Sequence, residues 1–531
     1  MNTAELLREL ASIDCFPQAT GEVQVVQTHL SIVCLVGDRV YKLKKPVRLP
    51  FVDFSTLDRR RAVCREEVRL NRRLCPETYL GTAALRAHGA GLRFAAIGDD
   101  ESEQDVEVAV VMRRLPAERM LDVLLEAGAA RVEEIEALGA RMAAFHAAAD
   151  HGPDVVAAGA PRKLAGFAGD NFTELTALPG HGLPTALLQR LAAASAADFA
   201  AILPALERRA AAGRVRDGHG DLHARNICMT APPTIYDCLE FNAAFRCGDV
   251  ATENAFLAMD LRYRGAGQLA TAYVDAYVRA AGDREMPTLL PPLVAYRAMV
   301  RAKVAAIAAG EPELSAAARD AARESGRAHL LLAAACTIEA RCPSWILFCG
   351  PPASGKSHLA ARLTAIAGWS HDNTDVVRKQ LAGVAAGEAA RAEHYTAAFS
   401  ERTYAALLQQ AARRTRAGER VVLLDGNFPT PARRAAARDA AADAGARLWL
   451  VHVDIDAATA AARAAARQTD AHNVSDAGPD LALQLRRRFV APGDGEGIAA
   501  LTLDGTRPAD ELIADLFAWL LPQLPPPQLT T

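Results

Sequence analysis

Two stretches of this 531-residue chain bring together residue types spaced for phosphate chemistry. "GPPASGKS", from Gly350 to Ser357, fits G-x-x-x-x-G-K-[ST] between the apolar run "WILFC" and the helix-like "HLAARL". In such a loop Gly350, Ser354 and Gly355 let backbone N–H groups turn onto phosphate oxygens. Lys356 reaches the β and γ groups, where it stabilises charge during transfer, and Ser357 offers a hydroxyl to Mg2+. The second stretch is "HGDLHARNICM". Its His219-x-Asp221, with Asn226 beyond, sets a carboxylate able to take a hydroxyl proton near an amide oxygen able to hold a metal. Asp237 in "IYDCLEFN" supplies a second metal carboxylate, expected on the second of two short strands.

Each stretch needs partners from elsewhere in the chain. For the glycine-rich loop, "VVLLDGN" ends an apolar strand on Asp425, where a carboxylate holds magnesium through water; the next residue is glycine, not the acid of a motor-type ATPase. Asp375 and Arg378 in "DNTDVVRKQLAG" share one face if a helix opens there, either an acid to accept a hydroxyl proton beside a cation or an N-cap with a solvated arginine. Arg463 and Arg467, four apart on an alanine-rich helix, are spaced to close over phosphates as a lid or to sit in solvent.

For the other stretch, a nucleotide-anchoring lysine belongs on the third strand, paired with a helix glutamate. "RVYK" selects Lys42, while strand alternation leaves Lys44 open because both point to one face. Helical spacing decides the partner: Val63, Glu67, Leu70 and Leu74 form a stripe, so Glu67 faces inward while Glu66 falls with Arg69 and Arg73. Asp249 and Glu253 either brace the loop around Asp221 or meet a cationic substrate, and His146 reads as a core or capping histidine.

The elements that must position these groups fall into two patterns. Residues 23–47 alternate as three strands with a turn at Gly37-Asp38, a helical stripe runs from Ser55, the expected N-cap, to Leu74, "VEVAVVMRRLP" is a further strand, and alanine-rich helices follow. From about residue 343 strands and helices alternate in the manner that builds a parallel sheet. The expected division is 1–340, an α+β domain with a small sheet lobe and a helical lobe, then 341–522, an α/β domain, then a disordered proline-rich tail, 523–531.

Composition narrows the partners. With 60 Lys and Arg against 63 Asp and Glu, no overall basic field draws the chain to nucleic acid or anionic lipid. Ten cysteines without a C-x-x-C pair read as free thiols of a reducing compartment. "MNTAELLRELASID" lacks the basic start and apolar run of a secretory signal, and no long charge-free run reads as a membrane span, so a cytoplasmic location is expected.

"GPPASGKS", "DVVRKQLAG", "LLDGNF" and "RAAARQTDAHNVSDA" together resemble the small P-loop kinases grouped with gluconate kinase, polynucleotide 5′-kinase and zeta-type toxins, over about residues 343–520. That resemblance implies Asp375 as base or hydroxyl anchor, Arg378 as substrate contact, and Arg463 and Arg467 as lid arginines. "HGDLHARNI", with "YKLKKPV", "FVDFSTLDRRR" and "CREEVRLNRRL", resembles the aminoglycoside phosphotransferase and choline kinase branch of the protein-kinase-like fold, over about residues 20–310, in a subgroup fused to P-loop kinases. It implies Asp221 as catalytic base and Asn226 and Asp237 as magnesium ligands. One departure stands out: "QTHLS" replaces any G-x-G-x-x-G before the third strand. The expectation is a tandem ATP- and Mg2+-dependent kinase acting on unidentified hydroxyl acceptors, a nucleic-acid end being an acceptor for the P-loop domain only. The alternative makes the N-terminal domain a non-catalytic nucleotide-binding or regulatory module.

Overall fold

The computed structural model describes residues 3–17, 21–28, 30–49, 52–89, 91–312, 314–385, 392–467 and 479–527. They form two compact units, Met1–Leu164 with Leu203–Leu290, and Ala165–Ile202 with Pro291–Thr531. The expected division at residue 340 therefore falls inside the second unit. Arg341 supplies a physical reason: it donates to Asp198 at 2.7 Å and to the Ala194 carbonyl at 3.1 Å, in a pair almost wholly buried.

In the first unit six antiparallel strands run in the order Val23–Gln27, Ser31–Val36, Arg39–Lys44, Asp105–Arg113, Tyr79–His88, Gly91–Phe94. Strand alternation sends Ile32, Cys34, Tyr41, Leu43, Ala109 and Val111 into one core and Val110 and Met112 into another, where they meet Cys64 and Val68 of helix Leu57–Asn71. Lys42 and Lys44 share the helix-facing side. The helix is capped by the Thr56 hydroxyl, not by Ser55, whose hydroxyl is bonded to Asp53. Helices Val132–Ala148, Val250–Tyr263 and Gly267–Ala281 build the helical lobe, and the hairpin Ile227–Cys228 with Thr234–Ile235 carries the loop of interest.

The second unit holds five parallel strands in the order Ser370–Asn373, Val421–Asp425, Ser344–Cys349, Arg447–Asp454, Ala500–Asp504. The three central strands are almost entirely buried, as helices on both faces of a parallel sheet require. Their side chains on one face pack around Trp345, Leu347, Val422, Leu424, Leu448 and Leu450. The start of the expected tail is held: Leu524 is buried, and the Leu524 and Pro525 carbonyls accept from Arg341 at 3.2 and 3.4 Å. Helix Thr185–Ala211 has the length and hydropathy of a membrane span, a feature the sequence reading did not single out; it also carries Arg190 and the buried Asp198. All ten cysteines are free, and nine are buried.

Candidate functional sites

In the first unit the choice between Lys42 and Lys44 dissolves, because both ammonium groups bind Glu67. Lys42 Nζ lies 2.9 Å from Oε1 and Lys44 Nζ 2.6 Å from Oε2. Lys42 also makes a short ion pair with Asp237, and Lys44 is paired with Glu240 at 2.6 Å. The result is a chain of alternating charge, Asp237–Lys42–Glu67–Lys44–Glu240. Burial alone would raise the Glu67 carboxyl, but the two lysines overcome it and hold the group below its ordinary value. For Glu240 burial wins, and its carboxyl is pushed up despite Lys44.

Asp237 lies two residues beyond its strand, not on it, at φ +61. That left-handed turn is uncommon for a residue with a side chain, and here it aims the carboxylate back at Lys42. Asn226 Nδ2 donates to the Asp221 carbonyl at 3.0 Å and to Asp221 Oδ2 at 3.1 Å, which turns Asn226 Oδ1 the other way. His223 Nε2 is 3.3 Å from the same Asp221 oxygen, and the Asp221 side chain is 36% exposed, within reach of a substrate.

The loop before Asp221 hangs on Glu253. Its Oε1 accepts the backbone N–H groups of His219 at 2.6 Å and Gly220 at 2.7 Å, while Oε2 meets His146 Nε2 at 2.6 Å. His146 in turn contacts the Tyr277 hydroxyl at 2.8 Å. Of the two roles left open, Glu253 braces the loop, whereas Asp249 caps helix Val250–Tyr263 and forms a bidentate pair with Arg209. Burial lowers the His219 imidazole below its ordinary value, and Nε2 lies 2.9 Å from the Tyr236 carbonyl.

In the second unit close approach demands one loop glycine and backbone conformation the other. Gly350 has φ +142, and a Cβ there would lie 2.4 Å from the Val453 carbonyl oxygen; Gly355, at φ +105, opens helix Lys356–Ala367. Lys356 Nζ donates to the Pro351 carbonyl at 2.7 Å, with Ser354 Oγ at 3.4 Å. Asp425 ends its strand in register with Phe348, one residue from Cys349 and the loop. Burial would raise its carboxyl, but His371, Lys356 and the Ser357 hydroxyl hold it below the usual carboxylate range.

Asp375 opens helix Thr374–Ala382 as expected, but the cap is Asn373, whose Oδ1 accepts from the Asp375 backbone N–H at 2.7 Å. Arg378 lies on the same helix and is already engaged within the chain. It is 7% exposed, donates to the His394 carbonyl at 2.7 Å and to Ser400 Oγ at 3.4 Å, and stacks over Tyr395 at 4.7 Å, so it fastens the 394–400 segment. Arg463 lies beside the loop: Nη1 donates to the Gly505 carbonyl at 3.0 Å and sits 3.7 Å from where a Gly355 Cβ would be. The side chain of Arg467 lies outside the described residues. Sequence reasoning missed Glu240, Asn373, His371 and Gly505. Only Asn373 carried a signal, an N-capping residue type just ahead of a helical stretch.

Both donor sets suit Mg2+. Asn226 and Asp237 in one unit, and Ser357 and Asp425 in the other, present hard oxygens, Asp237 beside Lys42 and Asp425 in the field of Lys356. Among the described residues no cluster of three or more His, Cys, Asp and Glu forms a metal site by itself, so phosphate oxygens and water would complete the coordination.

A small sheet lobe with a lysine–glutamate pair and a helical lobe with a catalytic-type loop define a protein-kinase-like unit; a parallel sheet with a phosphate loop defines a P-loop unit. The family model described as "AAA domain" matches residues 346–492. Over 486 residues the chain is 31% identical to uncharacterized protein Rv2004c of Mycobacterium tuberculosis, covering 86% of this chain and 93% of that protein. Uncharacterized protein Mb2027c of Mycobacterium bovis gives the same figures. The chain belongs to the family of these mycobacterial proteins. Solved structures similar in part include a choline/ethanolamine kinase family protein from Mesorhizobium loti, 14% identical, covering 62% of this chain and 95% of that one at a TM-score of 0.37. A gluconokinase from Sinorhizobium meliloti is 17% identical, covering 34% and 95% at 0.25.

Proposed function

We propose that the chain is a tandem phosphotransferase in which each unit moves the γ-phosphoryl group of ATP to a hydroxyl acceptor, one site within 1–340 and the other within 341–522. The observation that carries this reading is the same in both units: a lysine placed to reach phosphate near a carboxylate at or just past a strand end, Lys42 paired with Asp237, and Lys356 opening the helix after the strand in register with the one that ends on Asp425. Mg2+, bound with ATP, would be held by Asn226 and Asp237 in the first unit and by Ser357 and Asp425 in the second, and would neutralise the negative charge of the phosphates during transfer.

The residues of the chain do the rest. Lys42 exchanges Asp237 for phosphate oxygens, and Glu67 keeps its place because Lys44 still holds it at 2.6 Å. Asp221 accepts the acceptor's hydroxyl proton from a loop pinned by Glu253. In the second unit Lys356 exchanges the Pro351 carbonyl for phosphate, Asp375 takes the proton, and Arg463 stands beside the loop to meet phosphate charge.

A second reading, a non-catalytic N-terminal module, is favoured by "QTHLS" in place of a glycine-rich loop. One experiment separates the two: transfer of labelled γ-phosphate from ATP into a fractionated cytoplasmic extract by wild type, Asp221→Ala and Lys356→Ala. Products lost separately in the two variants support two kinases. If Asp221→Ala loses none, the first unit is not a catalyst.

A further inference from the structure

We propose that Asn373 is a positioning residue that ties the metal-side carboxylate Asp425 to the helix carrying Asp375; the proposal rests on the phosphotransferase reading of the second unit. Asn373 and Asp425 are paired in register on adjacent parallel strands. Asn373 Nδ2 donates to Asp425 Oδ2 at 2.5 Å, while its Oδ1 accepts the backbone N–H groups of Asp375 at 2.7 Å and Val376 at 3.3 Å. One amide thus spans from the metal side of the site to the acceptor side.

The chemistry leaves little choice of residue. A flipped amide would set its oxygen against a carboxylate and its NH2 against two N–H donors, so the observed orientation is the only one that satisfies both ends. Aspartate caps a helix well but has no donor for Asp425. Serine caps equally well, but its single oxygen is too short to reach across. A second contact clamps the same two segments: a Cβ on Gly426 would lie 2.6 Å from Thr374 Cγ2, so the backbone after Asp425 rests directly on the residue after Asn373. His371 Nε2 lies 3.3 Å from the same Asp425 oxygen. Asp425 cannot shift without moving the first turn of the Asp375 helix. Metal and nucleotide binding on one side therefore sets the proton acceptor on the other.

The test uses the full chain with Asn373→Ser and Asn373→Asp, both good N-caps, so a purely structural role predicts wild-type behaviour from each. ATP hydrolysis and the Mg2+ dependence of binding to a fluorescent ATP analogue are measured, each as the part lost in Lys356→Ala. Asn373→Ser should slow turnover about tenfold or more while nucleotide affinity stays within about threefold. Asn373→Asp should also slow turnover, and its second carboxylate should lower the Mg2+ concentration for half-saturation about tenfold. Melting temperatures should stay within a few degrees, which excludes misfolding as the cause. The proposal is overturned if both variants match wild type within about twofold in both readouts. If wild type shows no turnover dependent on Lys356 while Asn373→Asp still shifts the Mg2+ requirement, the phosphotransferase reading fails and the coupling stands.

Discussion

Replacing Glu253 with glutamine should destabilise the first unit by about 3 kcal/mol and loosen the loop that carries Asp221. The side chain is 6% exposed and accepts three hydrogen bonds, from His219 N–H, Gly220 N–H and His146. Burial alone would raise its carboxyl. The His146 hydrogen bond and charge, then His219 and the Gly220 N–H, instead bring it from an ordinary 4.5 to about 2. At about 1.4 kcal/mol per pH unit, that gap is roughly 3 kcal/mol. The sign follows from linkage. The folded value lies below the unfolded one, so the stabilisation is present in full above about pH 4.5 and is lost as pH falls toward 2. Glutamine keeps the shape and one carbonyl for the loop amides, but turns an NH2 toward His146. A unit of this size should lose about 6–12 °C in melting temperature at pH 7. The gap between variant and wild type should shrink by about half near pH 3. Thermal unfolding at the two pH values, alongside Asp221-dependent label transfer, checks both effects. An unchanged transition within about 2 °C at pH 7, with normal transfer, would refute the bracing role.

Gly350→Ala should abolish nucleotide binding at the P-loop, since its Cβ would sit 2.4 Å from the Val453 carbonyl at φ +142; a nucleotide titration with wild-type affinity would contradict this. Lys44→Met should destabilise the first unit by roughly 3–5 kcal/mol, because buried Glu67 and Glu240 would lose a shared cation; denaturant unfolding measures it. Lys42→Met should weaken ATP binding to that unit more than it weakens the fold, since Lys44 still compensates Glu67; calorimetric titration in the Lys356→Ala background separates the two effects.

Much of both sites was legible in the sequence. Lys356, Ser357 and Gly350 are contiguous in a loop whose geometry is set by local backbone chemistry, and Asp221 and Asn226 share one short loop. Glu67 was legible because helical periodicity assigns a face whatever lies opposite. The partners of Arg378 were not legible, because the His394 carbonyl and the Tyr395 ring lie 16 and 17 residues away, and spacing says nothing of what meets a helix face. Ser55 and Thr56 are equally good caps by type; Asp53 claims the Ser55 hydroxyl.

What the sequence by itself determined is the local chemistry: the phosphate loop, the Asp221 loop, and the strand and helix on which Lys42 and Glu67 sit. Period and loop pattern are properties of neighbouring residues. Only the tertiary structure decided that Lys42 and Lys44 both serve Glu67, that Glu240 closes the charge chain, and that Asn373 spans from Asp425 to Asp375. Those partners are 23 to 196 residues apart from lysine to acid, and 52 from Asn373 to Asp425. A buried charge takes whichever counter-charge the fold delivers within about 3 Å, and no pattern along the chain records that delivery.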